Sequence, residues 1–139
     1  MLRAFTPARR AQVAALLTLG GRDRSQCLIG NWGLPPVGPC SAEQVASFTI
    51  RAPVAGGVHS FLNSHVIRGK PVLPMTVALG HIGASVLRSY PGHHLLAVEG
   101  AKLFSGIDVE RDVPVQLKMA RQAAAADGLV RVACTLSKA

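Results

Sequence analysis

The chain has 139 residues, a length that fits one domain better than two. It is 49% hydrophobic but only 4% aromatic and 16% charged. That composition excludes wholesale disorder and leaves few rings for a single-strand nucleic-acid platform. The net charge of +8 suits an anionic partner, yet the cations are scattered, without a basic run or a nucleic-acid-binding signature. Nucleic acid is therefore not expected, and an acidic protein is the partner class retained.

Cys27, Cys40 and Cys134 are odd in number and lack metal-ligand spacing. They read as reduced thiols in a cytoplasmic protein, with no metal and no disulfide framework. No apolar run reaches the ~18 residues of a membrane helix, so no membrane association is expected. Arg3, Arg9, Arg10 and Arg22 lie in an acid-free start, a pattern that fits a transit peptide or an ordinary helix.

Thr6-Pro7 caps and opens a predicted helix, Val13, Leu16 and Leu17 recur at helical spacing, and Gly20-Gly21 stops it. Gln26 to Gly30 reads as a short strand. Gly30, Gly33, Pro35, Pro36, Gly38 and Pro39 then mark a loop or linker. An N-terminal helix and linker over 1–42 and a domain over 43–139 follow from this division.

Val45 to Ala52 alternates as a strand. Between Val58 and Pro74, two Pro and a Gly close together forbid a regular helix. Met75 to Ser89 reads as a helix that is apolar nearly all round and hence buried. Gly80 and Gly83 cost ~1 kcal/mol each there relative to Ala, which predicts close backbone packing at both. Tyr90-Pro91-Gly92 ends it. Leu95 to Phe104, Val113 to Arg121 and Leu129 to Leu136 read as three further strands, the last two as a hairpin. The order predicts an α+β fold, a curved antiparallel sheet wrapped around one helix.

His59 to Pro74 resembles the active-site segment of dehydratase domains of polyketide and polyunsaturated fatty-acid synthases. The family pattern of His, three residues, Gly, four residues, Pro is met by His65, Gly69 and Pro74. Val98 to Phe104 and Val109 to Asp112 resemble the strand and turn after the central helix. The resemblance covers 45–137 and implies a single hot-dog fold. More loosely, Phe5 to Gly30 resembles the tail of a ketoreductase domain.

The resemblance implies dehydration of a 3-hydroxyacyl thioester held on an acyl carrier protein. His65 is then the base. Gly69, Pro74, Met75 and Leu79 contact substrate. Arg68 and Lys70 dock the acidic carrier. The family's stand-alone members carry the acid on the central helix, at the position held here by Gly80, with His81 beside it as a substitute acid. The usual closing strand of the fold is also missing after Leu136, which would leave an open edge. A homodimer or a second hot-dog domain is the expected partner. Two alternatives share the fold: a non-catalytic half acting as scaffold or acyl-binding surface, and an acyl-thioester hydrolase. No cofactor is expected. His93-His94 reads as an exposed turn.

Overall fold

The computed structural model describes residues 12–21, 43–54, 56–57, 59–123 and 126–139. Its elements are β1 (Val13–Gly21), β2 (Glu43–Ile50), a 3-10 turn (Ser60–Ser64), β3 (Val66–Ile67), β4 (Lys70–Pro71), α1 (Met75–Ser89), β5 (His93–Leu103), β6 (Val113–Arg121) and β7 (Val130–Lys138). Five strands form one antiparallel sheet in the order β2-β6-β7-β1-β5, and β3 and β4 form a separate small hairpin. One helix against one large antiparallel sheet is the α+β, hot-dog arrangement expected from the sequence.

Alternation along the strands builds the core. Val115, Leu117 and Met119 of β6, Val132, Cys134 and Leu136 of β7, and Val13, Ala15, Leu17 and Leu19 of β1 are all buried. They share one cluster with Ala78, Ile82 and Val86 of α1. Fully burying a Leu, Ile or Val side chain contributes ~1.5–3 kcal/mol, so this central strip dominates the hydrophobic stabilisation.

The structure corrects the sequence reading at β1. Residues 13–21 are a strand rather than the end of a helix, and they lie inside the sheet between β7 and β5. A short apolar run satisfies both periodicities. The slot decides the matter, because it buries alternate side chains and pairs the backbone on both sides. The sheet therefore gains a strand from before residues 22–42 that the sequence reading did not count. The expected helix start at Thr6-Pro7, the strand at 26–30 and the linker itself lie outside the described residues.

A second correction concerns α1. Its bounds are as predicted, but it is not buried all round: Thr76, Gly80, Ala84 and Arg88 form an exposed stripe. Gly83 packs against Leu95, whose Cδ2 lies 3.8 Å from an added Cβ, whereas Gly80 faces open space. A 3.8 Å separation is ordinary contact with room for a methyl, so close packing requires neither glycine, against the expectation.

The small hairpin is tied to the body by the chain after β5. Leu73 N–H donates to Ile107 O at 2.8 Å and Val109 N–H to Pro71 O at 2.9 Å. Ile107 and Val109 are buried and anchor this junction. It holds the hairpin at the entrance to α1.

Candidate active site

His65 sits between the 3-10 turn and β3. Its backbone N–H donates to Leu62 O at 3.2 Å, and Val72 N–H donates to its carbonyl at 3.0 Å. Its ring Nδ1 lies 2.7 Å from Val72 O. A carbonyl only accepts, so Nδ1 carries the proton and donates. In the neutral ring, Nε2 is then the free acceptor. The side chain is exposed, and its orientation comes from the backbone two residues before Pro74.

The hairpin turn makes this geometry. Arg68 has φ 53° and Gly69 φ 77°, the left-handed pair of a two-residue hairpin turn. Glycine adopts that conformation freely, whereas arginine is strained in it. With Val66 opposite Pro71 and Ile67 opposite Lys70, the turn returns the chain so that Val72 meets His65.

Pro74 is the N-cap of α1, with no side-chain cap and no acid in the first turn. The first amide groups of a helix are unpaired within it and carry its positive dipole end. Pro74 and Met75 are half-buried beside this end, Leu79 is half-buried one turn on, and Gly69 stays exposed at the turn.

The two cations expected to dock a carrier differ. Lys70 Nζ lies 3.7 Å from Asp108 and 3.8 Å from Glu110. Arg68 makes no ion pair among the described residues and stands at the hairpin tip. Phe61, Val66 and Ile67 are each about half exposed around this segment. The sequence reading missed this apolar collar, although the Val66-Ile67 pair ahead of a Gly turn signals it.

His81 is elsewhere in character. Its ring stacks on Phe48 with centroids 5.5 Å apart. Burial pushes its pKa down, and the positive fields of His59 and Arg88 add to that. This setting disfavours the imidazolium that a proton donor must carry. Gly80, at the family's acid position, leaves its surroundings empty.

A cavity of about 340 Å3 is lined by Arg51, Ala52, Val54, Gly57, His59 and Asp112. Asp112 accepts from Arg51 at 2.7 Å and from Ala52 N–H at 2.9 Å. The backbone hydrogen bond first and the guanidinium second hold its carboxyl below the usual range. Asp112 is thus an ionised latch at the exit of β2. Asp108 also accepts from Glu110 N–H at 2.9 Å. No cluster of three or more metal-ligating side chains occurs among the described residues. No helix among them is long and apolar enough to cross a membrane.

No protein-family profile matches the chain, and no solved structure matches it. Among curated proteins it is similar to one of the subunits, the one lettered A, of the polyunsaturated fatty acid synthase of Thraustochytrium sp.. The identity is 33% over 126 residues, which is 91% of this chain but only 4% of that much longer protein. The fold and this similarity meet in one statement: the chain is an α+β hot-dog unit similar to one small portion of a large fatty acid synthase polypeptide.

Proposed function

We propose that the chain contributes the His65 half of a site that dehydrates a 3-hydroxyacyl thioester delivered on a carrier protein. The observation that carries this reading is the 2.7 Å contact from His65 Nδ1 to Val72 O. It fixes the tautomer, so Nε2 is free to take the proton alpha to the thioester carbonyl. The unpaired amides at the start of α1 would polarise that carbonyl as charge develops on it. The 3-hydroxyl leaves as water after accepting a proton from an acid, and the enoyl thioester remains.

That acid comes from a second hot-dog body in this reading. Asp108, Glu110 and Asp112 are engaged by Lys70, Arg51 and the backbone, and His81 is held towards its neutral form. The edge strand β5 is where such a body would pair. It exposes Leu95, Leu96, Val98 and Leu103, from 39% to 52%, along a backbone that has no neighbour on one side among the described residues. Arg68 is the better placed of the two docking cations, because Lys70 is already bridged.

A turnover assay by mass spectrometry tests the reading. The folded chain is incubated with a 3-hydroxyacyl pantetheine thioester, with the reverse hydration run beside it. Water loss that disappears in His65→Ala is the expected result. Turnover unchanged in that variant overturns the base assignment. No reaction in either direction would favour a second reading, a non-catalytic half, which rests on the bare, open position of Gly80.

A further inference from the structure

The short backbone stretch over 71–73 is bonded along both of its edges. Toward the chain after β5, Leu73 N–H donates to Ile107 O at 2.8 Å and Val109 N–H to Pro71 O at 2.9 Å, and Val72 pairs with Asp108 between them as an antiparallel bridge. Toward the other edge, Val72 turns both of its backbone groups to His65. Its N–H donates to His65 O at 3.0 Å, and its carbonyl accepts from His65 Nδ1 at 2.7 Å. This is the alternation of an antiparallel ladder, in which successive residues bond to opposite sides. Whatever displaces Val72 therefore displaces the acceptor that orients the His65 ring.

Gly106 sets where Val72 can lie. A Cβ built on Gly106 would stand 3.1 Å from Val72 Cγ1, inside the ~3.5–4.0 Å optimum for two carbons. The backbone there does not itself demand glycine, because its φ lies outside the left-handed region that Gly69, Gly100 and Gly128 occupy. The demand comes from the Val72 methyl. Nor is Gly106 free to back away. Its carbonyl accepts from Gln12 Nε2 at 3.2 Å, and that nitrogen also donates to Ser105 Oγ at 3.3 Å, while Gln12 Oε1 accepts from Lys138 N–H at 2.8 Å. Gln12 is only 9% exposed, and Ile107 and Val109 beyond the glycine are fully buried. The hairpin is the softer side, with Val72 half-buried and Val66, Ile67 and Lys70 exposed. A side chain at 106 would therefore push on Val72, whose branched side chain has little χ1 freedom to step aside.

We propose that Gly106 is a positioning residue for His65. By carrying no side chain it lets Val72 lie close against the turn after β5, where the Val72 carbonyl holds the proton on Nδ1 and leaves Nε2 bare. The chain of contacts runs from Gln12, just before β1, through Gly106 and Val72 to the ring. Its consequence for turnover rests on His65 being the base, whereas the steering of the ring rests on the contacts alone.

Nitrogen-15 NMR of the full-length chain, labelled at histidine, reads the ring directly, because protonated and bare ring nitrogens have well-separated shifts. His65 is assigned among the five histidines by the signals lost in His65→Gln, at about pH 8, where an ordinary histidine is neutral. The wild-type ring should show Nδ1 protonated and Nε2 bare. Gly106→Ala forces Val72 to yield by a few tenths of an ångström, and should replace that pattern by the averaged shifts of an unsteered imidazole. Gly106→Ala combined with Val72→Ala removes the obstructing methyl and keeps the backbone carbonyl, so it should restore the wild-type shifts. Unchanged ring shifts in Gly106→Ala overturn the proposal, and so does a double variant that stays averaged. If Gly106→Ala fails to fold, the double variant decides: wild-type ring shifts in it support the proposal, and averaged shifts overturn it. Turnover is read separately. The kcat of Gly106→Ala should fall, by less than the ~10²-fold that a 1 Å misplacement can cost, with KM held. Wild-type turnover beside an unsteered ring would overturn the base assignment and not the positioning of the ring.

Discussion

His65 and His81 are close in sequence and opposite in situation. His65 stands on an exposed hairpin, and its ring is steered by a backbone carbonyl. His81 sits on the central helix, half-buried and stacked on Phe48. The first is oriented yet wetted, with one nitrogen free. The second is packed, and its charge is disfavoured. The short hairpin, braced by the body, presents an oriented and accessible ring, whereas the helix supplies the scaffold and a row of amides unpaired within it.

Turnover gives the largest expected effect and breaks the comparison most directly. His65→Ala should lower dehydration by ~10²–10⁴-fold, while His81→Phe, which keeps a ring against Phe48, should stay close to wild type. Equal losses in both variants, measured by enoyl product per enzyme, would show that the two histidines act together.

Stability sharpens the contrast next. Ile82→Ala, adjacent to His81 and fully buried, should cost ~2–5 kcal/mol. Val66→Ala, adjacent to His65 and half exposed, should stay within ~0.5 kcal/mol. Urea denaturation followed by circular dichroism measures both.

The pH dependence of stability should report the setting of His81. The folded-state pKa of His81 is below its ordinary 6.5, so the unfolded chain binds the proton more readily. Its contribution is present above 6.5 and is lost as pH falls through 6.5 towards the folded value. Urea midpoints taken from pH 7.5 to 5 should therefore decline, and the decline should shrink in His81→Phe.

The smallest effects lie on the backbone. Gly80→Ala should stabilise α1 by up to ~1 kcal/mol, since the new methyl meets nothing. Arg68→Gly should stabilise the hairpin by a similar ~1 kcal/mol, because the left-handed turn no longer strains a side chain. The same change should weaken use of carrier-bound substrate, raising KM while sparing kcat. Lys70→Ala should leave KM nearer wild type, because that cation is already paired.

The parts of the fold that could be read in advance are those with punctuation. α1 runs from Met75, the residue after Pro74, to Ser89, the residue before Tyr90, and β6 has the predicted bounds because Val113, Val115, Leu117 and Met119 alternate without interruption. β5 was harder, since two register shifts against β1 break its alternation. β1 reads as a helix in sequence because the pairing on its two sides depends on strands far along the chain. In the site, the spacing of His65, Gly69 and Pro74 pointed to the segment now proposed. The partner of the His65 ring was not legible, because Val72 reaches it only through a turn with Arg68 in a left-handed conformation. Nor was the capture of Lys70 by Asp108 and Glu110, which depends on the segment after β5 docking against the hairpin.

Cys134 offers a built-in clock. It lies on β7 beside Ala15 of β1 and Met119 of β6. Burial pushes its thiol up to about 12, so at neutral pH it is almost entirely unreactive while the sheet is intact. Alkylation of this one cysteine therefore counts openings. With reagent in excess, the labelling rate at Cys134, resolved by peptide mass from Cys27 and Cys40, reports how often the central strands part in the native chain.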